Sequence, residues 1–197
     1  VGLSAKNALD REAASNFRNR KKTDPNGYQE FKRTMGTDHQ YNSSNMQRSY
    51  TSEELSAEVL KKLKGYIRDE EVTSAVITVP AMFSQGQLDA TQRAAELAGF
   101  KYCELLQEPI AASIAYGMKA NNTNGYWLVF DFGGGTFDAA LMHVEEGIMK
   151  VVDTEGDNHL GGKNLDNVIV DQLLIPELQK QCELSDTFEN ESTKKLL

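Results

Sequence analysis

The sequence predicts an α/β protein, and three observations carry that prediction. Two segments rich in β-branched and apolar residues, 72–79 and 102–106, are each followed by a helix-type segment, the alternation expected of packed strand–helix units. Three more strand-type segments then follow one another across glycine-bearing turns at 133–135 and 145–147, the pattern of an antiparallel meander. The composition, 40% hydrophobic and 25% charged over 197 residues, is that of a globular chain long enough to bury a sizeable core.

Residues 1–50 are polar, and apolar residues at helical spacing are few, so short elements and long loops are expected there. This stretch holds the densest positive charge, Arg18-Asn19-Arg20-Lys21-Lys22 and Lys32-Arg33, and a turn signal at Asp24-Pro25-Asn26-Gly27. Thr51 and Glu54 then form a capping-box pair. Leu55, Val59, Leu60, Leu63 and Tyr66 mark one face of a helix ending near Arg68. Residues 72–79, stopped by Pro80, read as a buried strand. Ser84 with Gln87 opens a second helix, for which Gly99 suits the position just past the end. After the strand at 102–106, Pro109 fits the first turn of a third helix.

A linker at 121–125 separates this half from the meander, whose strands are expected at 126–132, 136–144 and 148–154. A helical segment from about Asn164 to Gln181 follows, with Pro176 as its expected kink or break. The tail from Glu183 has no periodicity, and no repeat of twenty to fifty residues is present.

The balance of 21 basic and 29 acidic residues gives a formal charge of −8, which argues against a general affinity for nucleic acid or anionic membrane. No apolar run is long enough to span a bilayer. Cys103 and Cys182 have no C-x-x-C or metal spacing, so a reducing, cytoplasmic setting is expected. The sequons at Asn42, Asn121 and Asn190 are explained by chance in a chain rich in Asn and Ser.

Three segments carry the chemistry. In Val129-Phe130-Asp131-Phe132-Gly133-Gly134-Gly135-Thr136-Phe137-Asp138, the three glycines let backbone N–H groups gather around phosphate oxygens, and the Thr136 hydroxyl adds a hydrogen bond. Asp131 and Asp138 flank the turn, as carboxylates that hold Mg2+ or its waters, or orient an attacking water, would do. A glycine hairpin turn with no ligand would explain Gly-Gly-Gly-Thr alone. In Leu106-Gln107-Glu108-Pro109, Glu108 stands at a strand-to-helix junction, where a plain helix-start glutamate is the commoner case. Gly156-Asp157-Asn158-His159-Leu160-Gly161-Gly162 precedes a helix and offers a second phosphate or ribose contact, against an ordinary loop; His159 has no metal-ligand partner.

With Val79-Pro80-Ala81-Met82-Phe83 and these three segments in this order, the chain resembles the nucleotide-binding domain of the 70-kDa heat-shock chaperone family. That family shares its ATPase core with actin and the sugar kinases. The resemblance is strongest over residues 51–167 and weakest beyond Asp171. It implies an actin-like ATPase (ribonuclease H-like) fold, incomplete here, with nucleotide between two lobes. Residues 1–50 would be a small irregular subdomain of lobe I, 51–120 its α/β core part, 121–160 the β-meander of lobe II, and 161–197 the start of its helical part.

The resemblance implies ATP or ADP with Mg2+ as cofactors, and K+ as a further candidate. Gly133, Gly134, Gly135 and Thr136 would be the second phosphate loop, and Gly161 and Gly162 would approach the phosphates from the other lobe. Asp131 and Asp138 would stand near the metal and the attacking water, and Glu108 near the metal's hydration shell. Lys32, in Phe31-Lys32-Arg33, looks like the family's catalytic lysine, and Pro80 matches the proline thought to switch state with nucleotide.

Leu88 stands where the family usually has an arginine that couples ATP state to the peptide-binding domain. Met82 replaces a common tyrosine, and Lys163 and Asn164 replace common acids. The first phosphate loop, Asp-x-Gly-Thr-Thr, and an adenosine-binding Gly-Gly-Ser segment do not occur in the chain. The leading reading is therefore a fragment of an ATP-dependent, stress-response protein-folding chaperone. Its partners would be extended polypeptides, through a peptide-binding domain outside this chain, together with co-chaperones and nucleotide-exchange factors. The fragment alone is expected to bind ATP poorly and not to hydrolyse it, with its sheets exposing edges and apolar faces. The alternatives are a nucleotide-binding exchange factor or regulator, which Leu88 favours, and a small-molecule kinase, for which no sugar site is marked.

Overall fold

A computed structural model describes residues 1–18, 27–117 and 124–182. The chain divides into two units: residues 1–29, 40–50 and 163–197, and residues 30–39 with 51–162.

The first unit contains helix α1 (Leu3–Arg18) and the hairpin β1 (Tyr41–Ser43) and β2 (Arg48–Tyr50). The long α1 replaces the short elements expected here. Its sequence is dominated by Ala, Leu, Lys, Arg and Glu, strong helix formers by propensity, although only Ala13 is buried among its described side chains. The basic run after Arg18 and the turn signal up to Asn26 lie outside the described residues. Tyr28 packs edge-on against Tyr41 and donates its hydroxyl to the Asn42 carbonyl at 3.0 Å, which anchors the hairpin.

The same unit holds, from Lys163 on, α5 (Gly162–Ile169), a π-helical turn (Val170–Leu174) and α6 (Ile175–Cys182). The irregularity expected at Pro176 thus falls one turn earlier. Proline has no N–H and its ring crowds the carbonyl four residues back, and the wider π turn relieves both. The tail from residue 183 lies outside the described residues.

The second unit opens with a 3-10 turn (Phe31–Thr34), followed by α2 (Ser52–Lys64). The Thr51–Glu54 capping box forms: Glu54 N–H donates to Thr51 Oγ1 at 3.3 Å and Thr51 N–H to Glu54 Oε2 at 2.9 Å. The helix stops at Lys64 rather than Arg68 because Gly65, a poor helix former, takes its C-cap. α3 (Gln85–Leu97) lies against α2, with small residues Ala57, Ala90, Ala94 and Ala95 buried and an Arg93–Glu53 ion pair at 3.0 Å. Met35, from the end of the 3-10 turn, plugs the same core beside Ala90, Ala94 and Leu60. Gly99 ends the helix at φ +83°, the left-handed position expected of it.

β3 (Ser74–Val79) and β4 (Tyr102–Gln107) pair in parallel, with α4 (Glu108–Gly117) following directly. β3 was expected to be a buried strand. Among the described residues it pairs only with β4, and Val76 and Tyr102 lie open to solvent. β5 (Gly125–Phe132), β6 (Phe137–Glu145) and β7 (Ile148–Asp157) form the expected antiparallel meander, with a register irregularity at Leu141/Met142. Residues 121–123 of the linker, with 118–120 before it, lie outside the described residues. Trp127, on β5, meets Tyr116 of α4 edge-on. The opposite face of β5, with Tyr126, Leu128 and Phe130, is exposed.

Candidate functional site

The second unit brings the chemistry-bearing segments to one end of its strands. β5 and β6 meet at Asp131↔Asp138 and Phe132↔Phe137, and the turn between them is closed by Gly133 N–H donating to the Thr136 carbonyl at 3.0 Å. Gly134 at its tip is exposed, with open space where a Cβ would stand, whereas Thr136 is buried. None of Gly133, Gly134 or Gly135 has a positive φ. Backbone handedness therefore does not require glycine here, and of the three only Gly135 is crowded, by Arg33 Nε 3.1 Å from where its Cβ would stand.

The second glycine segment approaches this turn closely. Gly162 N–H donates to the Gly133 carbonyl at 3.0 Å. A Cβ on Gly161 would lie 2.5 Å from Gly134 C and Gly135 N, so only glycine fits. From a third direction, Arg33 Nε donates to the Gly135 carbonyl at 3.1 Å. Lys32, beside it, donates from Nζ to Glu108 Oε1 at 2.8 Å. Glu108 is only 18% exposed and Lys32 is 47% exposed, so the ammonium remains accessible while it orients the carboxylate. The Lys32 Nζ also lies 6.0 Å from the centre of the Phe83 ring.

Asp138 is 1% exposed. Its Oδ1 accepts the Ala81 N–H at 3.0 Å. Burial pushes its carboxyl above the ordinary aspartate range. The backbone hydrogen bonds of Ala81 and Met82 oppose that shift, Asp131 adds to it, and the Lys32 charge opposes it. Pro80, just before Ala81, is fully buried. Lys32, Glu108, Asp131, Asp138, the Gly133–Thr136 turn and Gly161–Gly162 thus all lie in one unit. His159 gives only its N–H, to Asp157 Oδ1 at 2.7 Å, an ordinary loop turn.

The donor set suits a phosphorylated ligand with a hydrated cation better than a bare metal centre. Among the described residues, no group of three or more His, Cys, Asp or Glu could hold a metal ion directly. Asp131 and Asp138 face each other, so the pair invites a cation whose other ligands come from water or phosphate. The exposed Gly134 and the half-exposed Lys32 leave room for phosphate oxygens beside them.

Two contributors escaped the sequence reading. Arg33 is visible only as part of a basic pair, and Asn158, which donates from Nδ2 to the Met82 carbonyl at 3.0 Å, only as a turn-type residue. Both act on backbone carbonyls far away in sequence, for which no local pattern exists.

An α/β unit with a glycine hairpin between two aspartates, a second glycine segment against it and a lysine–glutamate pair has the parts of the actin-like fold class. The whole chain agrees: residues 5–197 match the family model described as Hsp70 protein, and the chain belongs to the Hsp70 family. Members of that family are chaperone ATPases that bind ATP or ADP with Mg2+ and act on client polypeptides with co-chaperones. Among the described residues, no helix is long and apolar enough to cross a membrane.

Proposed function

We propose that the chain supplies the second phosphate loop and the carboxylate set of an ATP-hydrolysing chaperone domain. The convergence of Lys32–Glu108, Asp131–Asp138 and the Gly133–Gly135 and Gly161–Gly162 segments in one unit carries this reading. Bound Mg-ATP supplies the transferable γ-phosphoryl group and the metal charge. The exposed Gly134 end of the turn would hold phosphate oxygens through backbone N–H groups, Gly162 would brace the turn through its N–H on the Gly133 carbonyl, and the Lys32 ammonium would offset developing negative charge. Glu108, held by Lys32, would orient waters of the bound metal. Asp131 and Asp138, paired across β5 and β6, would orient water bound to the metal.

Two elements that the family resemblance calls for, Asp-x-Gly-Thr-Thr and Gly-Gly-Ser, are not among the 197 residues. We therefore assign hydrolysis to a domain larger than this chain, in which nucleotide state gates binding of extended polypeptides. We place it in the cytoplasm on cysteine usage alone. Leu88 in place of the coupling arginine keeps a second reading in view, a nucleotide-binding regulator without efficient turnover.

Calorimetric titration of the purified chain with Mg-ATP, alongside phosphate release, tests the assignment. Weak binding without turnover is expected from the chain alone, and turnover is expected once both flanking loops are supplied. Stoichiometric binding with turnover by the chain alone would overturn the division of labour. A domain that includes both loops and still binds no nucleotide would overturn the ATPase reading itself.

A further inference from the structure

Two side chains grip the turn between β3 and α3 from opposite ends of one peptide stretch. Asp138 Oδ1 takes the Ala81 N–H at 3.0 Å, and the Met82 backbone also bonds to this carboxylate. Asn158 Nδ2 donates to the Met82 carbonyl at 3.0 Å. Asp138 pairs with Gly156 across β6 and β7, and Asn158 follows two residues later, so both jaws belong to one corner of the meander. Gly156 leaves space between them: a Cβ there would lie 3.2 Å from both Asp138 Oδ1 and Met82 Cγ.

Asn158 is not serving its own loop. That turn is closed by Asp157, whose Oδ1 accepts the His159 N–H at 2.7 Å. The Asn158 Oδ1 is buried without a hydrogen-bond partner, so the amide's donor half is the half in use. Among the described residues the 3.0 Å bond to the Met82 carbonyl is thus the hydrogen bond that fixes the Asn158 amide.

We propose that Asn158 is a positioning residue: by holding the Met82 carbonyl it keeps the Ala81 N–H on Asp138 and so fixes where the Asp138 carboxylate points. Its catalytic meaning rests on the role given above to Asp138, whereas the clamp itself does not.

Nuclear magnetic resonance on the whole 197-residue chain tests the clamp. Asn158→Asp keeps the side-chain size and, ionised, removes the donor. The Met82 carbonyl carbon should shift upfield, and the Ala81 amide should exchange about tenfold faster. Amides in the centre of β4 should not change. Asn158→Ser, which shortens the reach without adding charge, should give the same local pattern and serves if the Asp variant fails to fold. An unchanged Met82 carbonyl in either folded variant, or uniformly faster exchange throughout the unit, would overturn the proposal. Absence of nucleotide binding in the completed wild-type domain would refute the ATPase reading and leave the clamp standing.

Discussion

The strand ends that carry Asp138 and the outer faces of the same sheets are built in opposite ways. At the strand ends, polar and glycine-rich segments pack tightly: Asp138 is 1% exposed, Pro80 and Pro109 are fully buried, and Gly161 has no room for a Cβ. On the outer faces the apolar residues are open, with Leu128 72% exposed and Tyr126, Phe130, Val76 and Tyr102 likewise bare. Ordinary burial runs the other way. The site end is assembled by backbone contacts that few residues complete, whereas the sheet faces present apolar surface that nothing among the described residues covers.

The largest way to break that contrast is Gly161→Val. Its side chain would have to displace the backbone of Gly134 and Gly135, so a destabilisation of ~1–3 kcal/mol is expected by urea unfolding. An unchanged midpoint would show that the two glycine segments are not in contact. Next comes Arg33→Ala, which removes the Gly135 carbonyl's donor. A loss of about 1 kcal/mol is expected, with faster amide exchange confined to residues 133–136.

Lys32→Ala should cost less than ~1 kcal/mol, because its ammonium is half solvated and the pair is discounted accordingly. It should nevertheless abolish turnover in a nucleotide-competent domain, measured as phosphate release. Stability loss without activity loss would remove Lys32 from the site.

Asp138 sharpens the comparison through pH. Its folded value is raised above the unfolded one, so the folded chain keeps this proton to higher pH. The stability this group contributes is complete below the ordinary aspartate range and is lost as pH rises through the raised value. Asp138→Asn should flatten that part of the stability profile and make the variant relatively more stable at neutral pH. Parallel profiles for the two proteins would contradict the raised value. The smallest effect belongs to the open face: Leu128→Lys should change stability by less than ~0.5 kcal/mol and raise solubility. A large destabilisation would mean that the face is covered in solution.

Legibility in the sequence follows the range of the forces involved. The Thr51–Glu54 cap, the Gly99 terminus, the meander and the strand–helix alternation of β3, α3, β4 and α4 obey local rules of capping, handedness and periodicity. The length of α1 was missed because propensity, not an apolar stripe, sustains it. The π turn before Pro176 was missed because a proline signals strain without saying which turn absorbs it. For the site, residue types and spacing pointed to phosphate and metal chemistry, and the order of the motifs pointed to the family that the chain matches.

What the sequence determined by itself is the order of strands and helices and the presence of glycines and carboxylates of the right kinds. Those depend on interactions within a few residues, where chain connectivity holds the partners together. Tertiary structure alone decided that Lys32 meets Glu108, 76 residues away, that Arg33 reaches Gly135, 102 residues away, and that Asn158 reaches Met82, 76 residues away. It also decided that Gly161 is a glycine for want of space rather than for its φ. Such contacts have no periodicity to read, because each becomes favourable only after the folded strands have already met the entropy cost of bringing distant segments together.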